Sequence, residues 1–231
     1  MNDVDGTSPR SQSAHAYEAV RFRILSGAFA PGRKLKIQDL AVELQVSPGA
    51  VREALSRLVP EQLVLSREQR GFIVAPLSAE DLKDLTDLRC EIEALALRRS
   101  LELGDLNWEA GLLAAAHRLR GTAKRPPTAD PEAHGEWRAR HAAFHTALIS
   151  ACGSRRLSAL HSQLYEQSER YRSLSAGMEP ERNVDDEHHA LVDLALARDA
   201  DGLVKAVEEH IRRTTDLILQ SLDEQAGEQA L

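Results

Sequence analysis

VSPGAVREALSRL, Val46 to Leu58, decides how this 231-residue chain is read. Ser47 is a residue type whose side-chain oxygen caps a helix N-terminus, and Pro48 suits the first helical position, where a missing N–H is no loss. A helix is therefore predicted to start at Pro48. Val51, Ala54, Leu55 and Leu58 recur at helical spacing and form one apolar face, while Gly49, Arg52, Glu53 and Ser56 fall on the other. One face packs and the other is free to read a partner.

Just upstream, IQDLAVELQ (Ile37 to Gln45) repeats the period with Ile37, Leu40, Ala41 and Leu44, and only Val46 and Ser47 separate the two patterns. Two short helices this close read as helix-turn-helix, which implies DNA. Beyond Leu58, LVLS (Leu63 to Ser66) and FIVA (Phe72 to Ala75) are apolar runs rich in strand formers, joined by the polar REQRG, and they predict a β-hairpin wing. An N-terminal helix, Ala16 to Ser26, with Tyr17, Val20 and Ile24 inward, stops at Gly27 before AFAPG. Residues 14–76 thus predict one winged-helix unit, after a disordered tail at 1–13.

In the order helix, APGRKL, DLA, VSPGAVREALSRL, LV, RGFIVA, these sixty-odd residues resemble the GntR family of bacterial regulators. The resemblance implies a homodimer on a short palindromic double-stranded operator, with the recognition helix in the major groove and the wing tip in the minor groove. Carried over by position, the DNA contacts are Ser47, Gly49, Arg52, Arg57, Arg70 and Gly71, with Lys36 at the start of the preceding helix. Arg52 suits a guanine edge or a phosphate, and the alternative for it and Arg57 is a solvated helix face. Arg70 beside Gly71 suits minor-groove insertion, because glycine lets the backbone turn sharply and approach the groove wall. Pro48 stands where many members have a polar side chain, and Gln62 where a Gly usually precedes the first wing strand.

Charge is divided along the chain. Residues 1–76 carry 10 Lys and Arg against 8 Asp and Glu, and residues 77–231 carry 19 against 28, so a mildly basic unit precedes an acidic one. This fits DNA binding at one end and another task at the other. The boundary falls near Ala75 to Ser78. Two cysteines without a paired framework, Cys90 and Cys152, suit small apolar filler in a reducing cytoplasm, with no disulfide. No run of transmembrane length is present, so no membrane association is expected.

From Ser78 onward the pattern is helical, broken at Gly104–Asn107, Gly121–Gly135, Cys152–Ser154 and Ala176–Asn183. With aromatics at 4%, the core must be mainly Leu, Ala, Val and Ile, as in an all-α bundle of about six helices over 79–223, followed by a tail at 224–231. The fold class is therefore mainly α. HAAFH puts His141 and His145 one turn apart on the face of Phe144, Leu148 and Ile149. His188 shares a face with Leu191, Val192 and Ala195, and His210 lies in the stripe of Leu203, Val207, Ile211, Thr214 and Ile218. Three helices thus send four imidazoles into one interior. Their helical neighbours are apolar, and a buried ring needs a polar partner, so a shared divalent transition metal is the economical reading. Zn²⁺ or Ni²⁺ suits such nitrogen donors. His15, His117, His134, His161 and His189 read as surface or structural.

LRCEIEALAL (Leu88 to Leu97), Phe144-His145, EHHAL, the ARD of Ala197 to Asp199, and His210 resemble the FCD ligand-binding domain of the FadR subfamily of GntR regulators. The resemblance implies a divalent metal held by one Asp and three His. Here the Asp position is His141, which keeps a ligating side chain but removes a negative charge, and Ser154 replaces a frequent Asn. It also implies a small organic acid as effector, with Arg89 near the pocket. Arg89 either grips a carboxylate with its planar fork or pairs with Glu93 one turn later, and Arg213 is a weaker candidate. The expectation is a metal-containing, cytoplasmic, DNA-binding regulator, a repressor released by a small carboxylate, and not an enzyme. The rivals are a His-ligated metalloenzyme with an accessory DNA-binding module, against which the absence of an HExxH pattern counts, and a metal-free dimerisation bundle.

Overall fold

The computed structural model describes residues 9–67, 71–122, 131–174 and 183–228. The chain divides into two compact units, Met1–Ser78 and Ala79–Leu231, at the place the composition marks. In the first unit α1 (Pro9–Leu25), α2 (Ile37–Leu44) and α3 (Pro48–Leu58) pack beside a three-stranded antiparallel sheet in the order β1 (Lys34–Leu35), β3 (Gly71–Val74), β2 (Val64–Arg67). Register pairs Leu35 with Phe72, and Arg67 with Gly71 across the wing. The strand at Lys34–Leu35 was not expected, since two residues carry no period, and the wing strands sit one residue from the runs read in the sequence. α1 begins at Pro9, so residues 9–13 are helical rather than part of a tail. Its inward stripe is Ala16, Val20 and Ile24, each fully buried, while Tyr17 is only half-buried and its hydroxyl donates to Glu61 at 2.5 Å.

Val51, Leu55 and Leu58 of α3 are fully buried, each contributing about 1.5–3 kcal/mol of burial free energy. The helix ends by reversing its backbone at Gln62, whose φ is +58°. Gln62 N–H donates to the Val59 carbonyl at 2.9 Å, and Leu63 N–H to that of Leu58 at 3.3 Å. This is the Schellman arrangement, whose left-handed position favours glycine. The Gln that replaces the expected Gly therefore keeps the glycine conformation.

Among its described residues the second unit has helices and no strand: α4 (Ala79–Leu103), α5 (Leu106–Arg120), α6 (Pro131–Ile149), α7 (Arg155–Leu174), α8 (Val184–Leu196) and α9 (Ala200–Glu228). α6 starts inside the stretch read as a break, and α9 runs through most of the expected C-terminal tail. Residues 176–182 of another expected break, and the side chain of His134, lie outside the described residues. Asp105 caps α5, its carboxylate accepting from Asn107 N–H at 3.0 Å and Trp108 N–H at 2.9 Å. The core joins Leu97, Leu112, Phe144, Leu148, Leu191 and Leu203. Between α8 and α9 the chain turns through the left-handed Arg198, φ +57°. Its guanidinium donates to the Leu101 carbonyl at 2.8 Å, pairs with Glu109 and lies 4.9 Å from the centre of the Trp108 ring. Cys90 and Cys152 are buried free thiols, and burial pushes that of Cys90 up to about 11. Among the described residues no helix is long and apolar enough to cross a membrane.

Candidate functional site

Ser47 caps α3 as its residue type predicts, its Oγ accepting from Ala50 N–H at 3.2 Å. Capping leaves the outward face of the first turns open. Lys34, Lys36, Pro48, Gly49, Arg52, Gly71 and Phe72 line a surface hollow of about 510 Å³ between that face and the wing. Four of the residues picked from the sequence, Lys36, Gly49, Arg52 and Gly71, therefore meet in one concavity. Gly71 has φ +80° with no atom within 4 Å of where a Cβ would lie, so its requirement is conformational rather than steric. Arg57 points elsewhere. Its guanidinium lies 4.1 Å from the centre of the Tyr17 ring, which packs α3 on α1. Arg70 lies outside the described residues. The sequence reading missed Gln12, whose side-chain oxygen accepts from Ser47 N–H at 3.1 Å. Nothing in the periodicity of α1 marks it.

In the second unit α6 supplies His141 and His145, α8 His188 and α9 His210, all at most 6% exposed. One nitrogen from each ring lies within 4.8 Å of the others. The Nε2 atoms of His141 and His145 are 3.2 Å apart. Two nitrogens each about 2.1 Å from one ion stand about 3.0 Å apart at a right angle and about 3.4 Å apart at the tetrahedral angle, so the spacing suits two ligands of one metal. Burial, reinforced by nearby positive charge, holds His141 and His145 well below the usual imidazole range. Both are neutral and keep a lone pair for coordination. Nδ1 of His145 is buried without a hydrogen-bond partner. The group can hold a metal ion.

The neighbourhood is more polar than each helix alone suggested. Tyr165 of α7 meets Nδ1 of His141 at 2.7 Å, and Glu187 meets Nδ1 of His210 at 2.7 Å. Trp137 stacks on His141 at 4.8 Å. Burial raises the Tyr165 phenol well above its ordinary value, so it stays protonated. Tyr165 and Glu187 reach these rings from facing helices, which periodicity cannot reveal, whereas Trp137 lies one turn before His141 on α6.

Arg89 is 7% exposed, and its Nε and Nη2 donate to one oxygen of Glu93 at 3.3 and 3.2 Å. Its Nη1 donates to Ser168 at 3.0 Å, and the guanidinium lies 4.9 Å from the centre of the Tyr165 ring. The ion pair foreseen for Arg89 is therefore formed. His161, read as surface or structural, is buried with Nε2 3.2 Å from the same Glu93 oxygen. Burial alone raises the Glu93 carboxyl, but His161 and Arg89 beside it outweigh this and hold it below the usual range. Arg213 is exposed and reaches Glu187 at 3.4 Å.

The FCD domain pattern matches residues 84–213, and that of the bacterial regulatory proteins of the gntR family matches residues 12–74. The chain is 41% identical to the HTH-type transcriptional regulator BphR of Paraburkholderia xenovorans, over 91% of this chain and 86% of that protein. It is 33% identical to the HTH-type transcriptional repressor GlaR of Escherichia coli, over 91% of this chain and 97% of that one. The structure of E. coli McbR/YncC superimposes with a TM-score of 0.74 at 20% identity, covering 92% of this chain and 99% of that one, and so supports the fold. With both domain patterns in sequence and relatives matched over nearly their whole length, the chain belongs to the GntR family of transcriptional regulators and is a DNA-binding regulator with a C-terminal FCD domain.

Proposed function

We propose that this regulator is a homodimeric repressor acting in the cytoplasm on a palindromic operator, with a divalent transition metal, Zn²⁺ or Ni²⁺, at His141, His145, His188 and His210. A small organic acid at or near that metal releases it from DNA. The observation that carries the reading is the convergence of four buried imidazoles, with the Arg89 guanidinium beside Tyr165, inside the domain joined to a winged helix. Neutral nitrogen donors favour Zn²⁺ or Ni²⁺ over Ca²⁺ or Mg²⁺. When bound, the cation offers a positive anchor for a carboxylate oxygen. Arg89 supplies a planar fork for the acid, provided Glu93 shares or yields it. Lys36, Gly49, Arg52 and Gly71 face the duplex, with Ser47 as cap. Arg57 and Arg213 have packing and ion-pair partners that compete with DNA and effector roles. The name of GlaR supports repression.

Elemental analysis of purified protein, then a thermal-shift screen of small carboxylates with and without chelator, tests this. Chelation should lower the melting temperature, since a ligand at 100 times its Kd stabilises by about 2.7 kcal/mol. His210→Ala should remove the chelator effect and His189→Ala should not. A protein without metal, or operator binding indifferent to every carboxylate, would end the proposal.

A further inference from the structure

We infer that Glu187 is a positioning residue for the metal centre: it fixes His210 with Nε2 turned inward and supplies the negative charge that four imidazoles lack. The inference rests on the metal reading above. Its basis is a difference between two hydrogen bonds of equal length. His141 and His210 each engage a neighbour through Nδ1 at 2.7 Å, the first with the Tyr165 hydroxyl and the second with a Glu187 carboxylate oxygen. A hydroxyl donates or accepts, so Tyr165 permits either tautomer of His141. A carboxylate oxygen accepts, so in a neutral His210 ring it holds the proton on Nδ1 and leaves the Nε2 lone pair for a metal.

Three features place and aim Glu187. It sits in the first turn of α8, where the helix N-terminus favours negative charge. Its side chain is 19% exposed and stands 2.7 Å from the His210 ring. Its second oxygen faces Arg213 at 3.4 Å, which fixes the plane of the carboxylate. The other carboxylate near the cluster, Glu169, stands 4.0 Å from His141 Nδ1 but is engaged by Arg172 at 3.1 Å and Arg138 at 3.5 Å. It stands 1.3 Å farther from its ring than Glu187 does from His210. Among the described residues Glu187 is a carboxylate within hydrogen-bond distance of a ligand ring, and such a partner raises the basicity of that ring.

The test is Zn²⁺ titration of chelator-stripped, full-length protein against a competing chromophoric chelator. Glu187→Gln, which keeps an acceptor oxygen but loses the charge, should weaken Zn²⁺ binding by about 10- to 100-fold, with Glu187→Asp between it and the parent. The visible bands of the Co²⁺-loaded protein should shift in Glu187→Gln, as a merely structural role would not require. Glu208→Gln on α9, a half-exposed carboxylate paired with Arg212, serves as control and should match the parent. Equal affinity in parent and Glu187→Gln overturns this inference and leaves the metal reading standing. A parent that binds no metal overturns both. A loss of affinity matched by a lower melting temperature of the stripped variant makes Glu187 structural and also overturns it.

Discussion

In the winged-helix unit the candidate DNA contacts stand outside an apolar core: Lys36 and Arg52 are exposed, while Val20, Val51, Leu55 and Leu58 are fully buried. In the helical unit the arrangement is inverted, with Arg89, Glu93 and the four imidazoles each under 10% exposed among Leu97, Phe144 and Leu191. Hydrated groups can be changed with little effect on folding, since water serves them in both states. Enclosed charges and rings are part of the core, so removing one leaves its partner unpaired where water cannot replace it.

The largest expected effect is at the buried ion pair. Arg89→Ala strands Glu93 beside His161 and should cost about 3–5 kcal/mol of stability. Urea unfolding followed by tryptophan fluorescence reports it for this unit, because both tryptophans, Trp108 and Trp137, lie here. A loss below about 1 kcal/mol, the range of exposed pairs, would erase the contrast between the units. The same pair gives a pH signature. Because the Glu93 carboxyl is held below its ordinary value of 4.5 in the folded protein, the unfolded chain binds its proton first as pH falls. The stability it contributes is therefore full above that value and lost as pH drops through the folded one. Glu93→Gln should flatten the parent's slope below pH 4.5, and unchanged slopes would refute the assignment.

Arg52→Ala should show the opposite profile. Its stability should stay within about 0.5 kcal/mol of the parent, while affinity for an operator selected from random duplexes falls by about 1–3 kcal/mol if it reads a base. Fluorescence anisotropy with labelled operator measures this, and full retained affinity would remove Arg52 from the interface. The smallest effect is at Gln62. Glycine relieves a left-handed strain of about 1–2 kcal/mol but gains about 0.5–1 kcal/mol of unfolded-state freedom, so Gln62→Gly should raise the melting temperature slightly. A decrease would mean that the Gln side chain contributes packing that outweighs its backbone.

The same contrast explains what the sequence revealed. An exposed site is written on one helix: the face of Arg52 follows from Val51, Leu55 and Leu58, and the cap from Ser47-Pro48. The inward turn of His141, His145, His188 and His210 was legible for the same reason. Their partners were not, because Tyr165 and Glu187 reach them across helix interfaces. His161 is different. It shares a face with Leu157, Leu164 and Tyr165, all buried, and that signal was available in the period. Gln12 and the strand at Lys34–Leu35 leave no periodic trace, being a single contact and two residues.

The left-handed turn at Arg198 lies between two helices that each carry one of the four imidazoles. Pinned to the Leu101 carbonyl, Glu109 and the Trp108 ring, it cannot slide along the bundle. One residue added or removed between His188 and His210 would rotate α9 by about 100° and shift it by about 1.5 Å, carrying His210 off the cluster. The stretch from 188 to 210 therefore works as a ruler. Many of its side chains can be exchanged, but its length cannot, and insertions that adapt this unit to new ligands must enter the chain elsewhere.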